Sequence, residues 1–189
     1  MLFLKDLALA HQAREGFFVP GQNSKFPLGT PSYRNNNPGN LRLTTYQQKA
    51  YGAVQGVAGF ARFPSYEVGL QALMDDLRAK ITGHSAYINY SRSPTFLSYV
   101  KVFAPTEDGN DPNGYCQFLC GRLSEYHLTP QTPLSQLAAL IQNENLPQPV
   151  DPALQLKIAE EAVGRVGGLR KFVLQRFIVR MRKLLGGVN

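Results

Sequence analysis

The sequence predicts a mainly α fold: a helical domain with a small irregular or β insert near its front, plus a basic C-terminal helix. Three observations carry this prediction. A start signal, a capping residue followed by proline, recurs as Ser93-Pro94, Asp111-Pro112, Thr132-Pro133 and Asp151-Pro152. Apolar residues recur at helical spacing in the first fourteen positions and again after residue 65. Between those stretches, glycine and proline interrupt every periodic run.

Taken in order, residues 2–14 read as a helix. Leu4, Leu7, Ala8 and His11 share one face, which Leu2, Phe3 and Leu9 widen. Gly16 is a natural stop just past its end. Residues 17–39 read as a loop, punctuated by Pro20, Gly21, Pro27, Gly29, Pro31, Pro38 and Gly39. A connection that long inside a compact domain is often functional. Residues 40–63 read as short strands with turns, because Leu41 and Leu43 alternate with polar neighbours and Gly52, Gly56 and Gly59 mark bends. Ser65 starts the next helix, with Leu70, Leu73, Met74 and Leu77 as its core face.

The four cap-and-proline pairs place further helix starts near 94, 112, 133 and 152. The capping oxygen accepts from a free backbone N–H, and proline at the first helical position gives up a donor that had no partner. Pro147, Pro149 and Pro152 then mark a linker. The chain is therefore expected to divide into a domain over 1–147 and a tail over 148–189.

Charge separates the same two parts. Of the 20 Lys+Arg and 13 Asp+Glu, residues 1–150 hold 12 and 10, and residues 151–189 hold 8 and 3. The tail thus carries +5 of the net +7. From Arg165 onward Leu169, Phe172, Val173, Phe177, Met181 and Leu184 keep helical spacing among seven cations and no acid. Three readings stand for residues 165–189: an amphipathic helix on a membrane surface, a docking helix for nucleic acid or a virion partner, or a helix packed on the domain with a solvated basic face.

Cys116 and Cys120 lie four apart on one expected helix face, poor geometry for a disulfide, and read as free thiols. His11, His84 and His127 stand apart from them, so no metal cofactor is expected. The N-terminus lacks the charged leader and cleavage site of a signal peptide, and no run approaches the apolar length of a spanning helix.

Glu15 is the first candidate for chemistry. It closes the first helix, at the end where the dipole is negative, and Phe17-Phe18 follow it. Both features disfavour a charged carboxyl. A carboxylic acid that keeps its proton is what glycosidic cleavage needs, to protonate the leaving oxygen. A solvated glutamate at a frayed helix end fits the same residues. The second candidate is Tyr33-Arg34-Asn35-Asn36-Asn37-Pro38-Gly39-Asn40-Leu41-Arg42. It places four asparagines within six residues, with proline and glycine fixing the backbone. Amides and aromatic faces bind sugars; the same amides could instead brace a turn.

These strings carry a family resemblance. Glu15-Gly16-Phe17, Pro20-Gly21 and the asparagine run resemble the lysozyme-like and lytic-transglycosylase-like proteins of phages and prophages. So do Gly59-Phe60-Ala61-Arg62-Phe63-Pro64-Ser65-Tyr66-Glu67-Val68-Gly69-Leu70-Gln71-Ala72-Leu73, Tyr99-Val100-Lys101-Val102-Phe103-Ala104-Pro105, and Asp108-Gly109-Asn110-Asp111-Pro112 with Tyr115 after it. The resemblance spans roughly residues 5–140. It departs at residues 22–30, a longer loop than in many relatives, and in the tail.

The resemblance implies a lysozyme-like helical domain that cleaves the β-1,4 glycosidic bonds of bacterial peptidoglycan, as a lytic transglycosylase or a muramidase, with Glu15 as general acid/base. It implies that Asn35, Asn37, Gly39 and Asn40 serve the substrate cleft. Tyr33, Phe60, Phe63, Tyr66 and Tyr99 become candidates for cleft walls or for the core beneath them, two roles the sequence does not separate. No second carboxylate stands out, since Glu67 follows the capping Ser65 and supports its helix. The glycan strand is the expected partner. The expected setting is a phage virion or bacterial host cytoplasm, with action on the wall in the periplasm. The alternative is a non-catalytic virion structural or glycan-binding protein with the same fold.

Overall fold

The computed structural model describes residues 2–145, of which 2–144 belong to one compact unit. The readings for the linker, the Asp151-Pro152 helix start and the basic segment 165–189 lie outside the described residues.

The described residues are mainly helical. Their α-helices are α1 Phe3–Arg14, α2 Pro31–Arg34, α3 Thr45–Tyr51, α4 Tyr66–Ile81, α5 Phe96–Phe103, α6 Pro112–Arg122 and α7 Leu134–Asn145. Two-residue strands β1 (Val54–Gln55) and β2 (Ala61–Arg62) pair antiparallel, with Val54 opposite Arg62. None of the described helices is long and apolar enough to cross a membrane.

Helix α1 is the central post. It packs on α4 and α6, and α5 packs on α6. Phe3, Leu4, Leu7, Ala8 and His11 are buried along one stripe, at the spacing that predicts it. Each large apolar side chain buried this way contributes roughly 1.5–3 kcal/mol. Glu15 is the last residue in helical conformation, and Gly16 follows at φ +68, a left-handed value that suits glycine. The helix therefore ends where Glu15 leaves the core.

Helix α4 begins as expected, with Ser65 Oγ accepting from the Val68 N–H at 3.3 Å. Its buried face is Gly69, Ala72, Leu73, Leu77 and Ile81; Leu70 and Met74 are only half-buried. Asp111 caps α6 by accepting from the N–H groups of Asn113 and Gly114.

Three expectations are corrected. Residues 40–63 hold more than strands, because α3 forms inside them. Thr44 and Gln47 make a reciprocal capping box, and Gly52 closes the helix in the left-handed region. Residues 17–39 are not wholly loop, since Thr30-Pro31 repeats the cap-and-proline signal and starts α2. The helices expected near 94 and 133 are present, beginning at Phe96 and Leu134, but Ser93 does not cap the first of them. The two proline segments bridge each other, Thr95 opposite Pro133, and Thr95 caps α5.

Candidate active site

A cavity of about 750 Å³ opens where the end of α1 meets the asparagine loop, the middle of α4 and the end of α5. Glu15, Gly39, Asn40 and Phe60 line it, together with Arg42, Asp76, Lys80 and Phe103. Glu15 is half-buried there. Its carboxylate is held at both oxygens: Asn40 Nδ2 donates to Oε2 at 2.9 Å, and the Tyr115 hydroxyl donates to Oε1 at 2.7 Å.

The asparagine run is two devices in one string. Asn35 and Asn37 are fully buried and act as internal braces rather than cleft residues. Asn35 Nδ2 donates to the Val57 carbonyl at 3.0 Å, and Asn35 Oδ1 accepts from the Val57 N–H at 2.9 Å. Asn37 Nδ2 donates to the carbonyls of Leu41 and Ala61 at 2.9 and 2.8 Å, and its Oδ1 accepts from the Leu41 N–H at 2.9 Å. An asparagine amide can do this because it offers two donors and an acceptor in one plane. These bonds tie the loop to β2 and to the turn before it.

Asn40, by contrast, presents its amide to Glu15. Its backbone sits at φ 46, a left-handed value that asparagine tolerates better than most residues. Its Oδ1 is buried and, among the described residues, has no hydrogen-bond partner. The amide keeps its donor end on the carboxylate, because turning it over would set oxygen against oxygen.

Gly69 and Gly39 explain how the loop comes so close. A Cβ on Gly69 would overlap the Asn36 carbonyl, and one on Gly39 would lie 2.5 Å from Leu73 Cδ1. The loop backbone is thus pressed onto α4, and Asn40 is carried to the end of α1.

Four aromatic candidates do not line this cavity. Phe63 and Tyr99 are core residues. Tyr33 packs edge-on against Phe17 with ring centroids 5.6 Å apart. Tyr66 also packs on Phe17, and its hydroxyl donates to Gln12 Oε1 at 2.7 Å. Phe17 and Phe18, expected beside the Glu15 carboxyl, line a separate hollow with Leu9 and Phe118. The phase of each residue on its helix and the direction of a turn decide such orientations, and residue type alone does not encode them.

The long loop departs from the cavity as well. Thr30 N–H donates to the Phe18 carbonyl at 3.0 Å, and Phe18 N–H donates to Thr30 Oγ1 at 3.1 Å. Residues 19–29 therefore leave and return through one latch, and none of them lines the cavity.

Several site residues escape the sequence reading. Asp76 and Asp108 both reach the cavity. Asp76 pairs with Lys80 one helical turn on, and Asp108 takes Arg42 at 2.9 Å. Tyr115 is the residue whose role is least visible. It comes from α6, one hundred positions from its partner, and burial followed by the nearby Glu15 charge raises its phenol well above the ordinary range. His11 carried a readable signal, a polar residue on the apolar face of α1, one turn before Glu15.

No protein-family model matches the chain. No characterised protein and no solved structure matches it either.

Proposed function

We propose that this chain cleaves the β-1,4 glycosidic bonds of peptidoglycan, as a lytic transglycosylase on a lysozyme-like helical fold, with Glu15 as general acid and then base. One observation carries the reading. The Glu15 carboxyl group, half-buried and held at both oxygens, ends the first helix and faces a cavity of about 750 Å³. The resemblance of the asparagine run and the segments after it to phage lysozyme-like proteins points to the same chemistry.

Protonated Glu15 gives its proton to the bridging glycosidic oxygen as the bond from that oxygen to C1 breaks. The positive charge that develops at C1 is met by the 6-hydroxyl of the same muramyl residue. Its oxygen bonds to C1, and its proton passes to the Glu15 carboxylate. The products are a shortened glycan and a 1,6-anhydromuramyl end, with no net addition of water, and Glu15 is restored. Asn40 holds Oε2 through both halves of the cycle. Phe60 and Phe103 give the cavity apolar walls against which sugar rings can lie.

The neighbouring carboxylates support this order over a two-carboxylate hydrolysis. Among the described residues, the other acids lining the cavity are Asp76 and Asp108, and each is already paired with a cation. Asp76 keeps its cation on Oδ1, with Oδ2 buried and without a hydrogen-bond partner among the described residues, whereas Glu15, alone of the three, has neutral donors on both oxygens.

The test is clearing of a peptidoglycan gel by the wild type and by Glu15→Gln. The wild type is expected to clear the gel. The variant, folded by circular dichroism, is expected to lose clearing by at least a hundredfold, the scale of a lost acid/base catalyst. Equal clearing by both proteins rules out Glu15 as the acid; none by the wild type rules the enzyme reading out and leaves glycan binding without turnover.

A further inference from the structure

The hydrogen bonds behind Glu15 continue past Tyr115. The Tyr115 hydroxyl lies 2.9 Å from His11 Nδ1, and His11 Nε2 lies 2.6 Å from the Tyr99 hydroxyl. Three helices supply this line: α1 gives His11 and, as its C-cap, Glu15; α5 gives Tyr99 and α6 gives Tyr115. Tyr99 and His11 are completely buried, and Tyr115 is 2% exposed.

Counting protons gives the line a direction. An ionised carboxylate only accepts, so Tyr115 spends its single O–H on Glu15 Oε1 and must accept from His11. The ring proton of a neutral His11 therefore sits on Nδ1, and Nε2 accepts from Tyr99. Run backwards, the line would leave the Tyr99 hydroxyl proton with no acceptor, since among the described residues His11 Nε2 is its hydrogen-bond partner. A buried donor left without an acceptor costs more than a typical hydrogen bond returns. The far end thus sets the direction.

The surroundings keep the ring neutral. Burial, then the Lys80 ammonium on α4, hold the His11 imidazole down to about 3. The Phe103 ring on α5 packs 4.3 Å from it between centroids. The charged groups facing the rest of the line are Arg14, 5.2 Å above the Tyr115 ring, and Asp76; burial, then the Asp76 charge, raises the Tyr99 phenol.

We infer that Tyr99, His11 and Tyr115 are positioning residues, a one-way line of donors that keeps the Tyr115 proton on Glu15 Oε1 and so assigns the transferable proton to Oε2, beside the cavity-lining Asn40. This rests on the reading of Glu15 as the acid. Tyr115 lies behind the carboxyl, away from the cavity lining, and Asn40 lies within it. A proton parked on Oε1 would face the core and be useless to a glycan.

The imidazole nitrogens report this directly. In the full chain labelled with ¹⁵N at histidine, His11 is expected as the neutral Nδ1–H tautomer. It should stay so while the Glu15 carboxyl, followed by its ¹³C shift, titrates. An Nε2–H tautomer, an imidazolium near neutral pH, or a tautomer that switches in step with Glu15 overturns the inference. Tyr99→Phe keeps the ring and removes the far-end donor. A second tautomer should then emerge once Glu15 is protonated. The alkaline limb of the glycan-cleavage rate should move up by about half a pH unit, because a donor to the carboxylate has been weakened. A packing role alone would leave tautomer and limb unmoved, which also overturns it. The tautomer is read without substrate, so the two proposals fail separately. A wild type that cuts no glycan but holds Nδ1–H sinks the function, and one that cuts glycan with the wrong tautomer sinks the line.

Discussion

Acidification should weaken this fold through one buried ring. Folded His11 resists protonation down to about pH 3, while the same imidazole in the unfolded chain takes a proton near 6.5. The folded value is the lower one, so below 6.5 the unfolded state binds the extra proton first. Stability from this group is complete above 6.5 and falls as the pH drops toward 3. Each pH unit inside that window is worth about 1.4 kcal/mol, so the loss two units below 6.5 is about 2.7 kcal/mol. Against a net stability of roughly 5–15 kcal/mol for an ordinary domain, that is a large fraction. The assay is urea unfolding at a series of pH values from about 7 to about 4.5, on the wild type and on His11→Gln. Glutamine can still donate to one phenol and accept from the other, but it does not titrate. The carboxylates contribute equally to both proteins, and the difference between the two isolates His11. That difference should change by about 2–3 kcal/mol across the range. Parallel pH curves would refute the claim that the folded ring stays neutral.

Two further predictions concern the loop that carries Asn40. Asn37→Ala strips partners from the Ala61 carbonyl and the Leu41 N–H inside the core, and should cost about 3 kcal/mol in thermal or urea unfolding; a loss under about 1 kcal/mol would mean that the amide is not a brace. Gly69→Ala drives a methyl group into the Asn36 carbonyl and should cost about 3 kcal/mol through overpacking, while pushing the loop off α4. A crystal structure of that variant with Asn40 still on Glu15 would contradict the account of how the loop is set.

Much of the fold was legible because caps and periodicity are local. Ser65, Asp111 and the stripe Leu4, Leu7, Ala8, His11 point to their helices without help from the rest of the chain. The cap of α5, at Thr95 and not at Ser93, has a different cause. Each proline segment pairs with the other across the fold, and a bridge between residues 38 positions apart leaves no local mark. Helix α3 did carry its signal, Thr44 with Gln47, but glycine spacing and the alternation of Leu41 and Leu43 masked it.

The site divides along the same line. Glu15 and Asn40 were legible from residue type and their place beside helix end and turn. The inward asparagines were not separable from Asn40, because all four have the same chemistry and only the backbone direction decides which amide meets the cavity. Tyr115, Asp76, Lys80 and the Arg42–Asp108 pair depend on how helices are arranged in space. Tyr33, Phe63, Tyr66 and Tyr99 turned away for the same reason: an aromatic side chain serves a core as readily as a cleft.

The most direct measurement is the mass of the muropeptides released from purified glycan strands by the wild type and by Glu15→Gln. Disaccharide-peptides one water lighter than reducing-end products are expected from the wild type, and none above background from the variant. Reducing-end products would mean that water, and not the 6-hydroxyl, reaches C1. Release by the glutamine variant at the wild-type rate would contradict the central claim, that the proton breaking the glycosidic bond comes from Glu15.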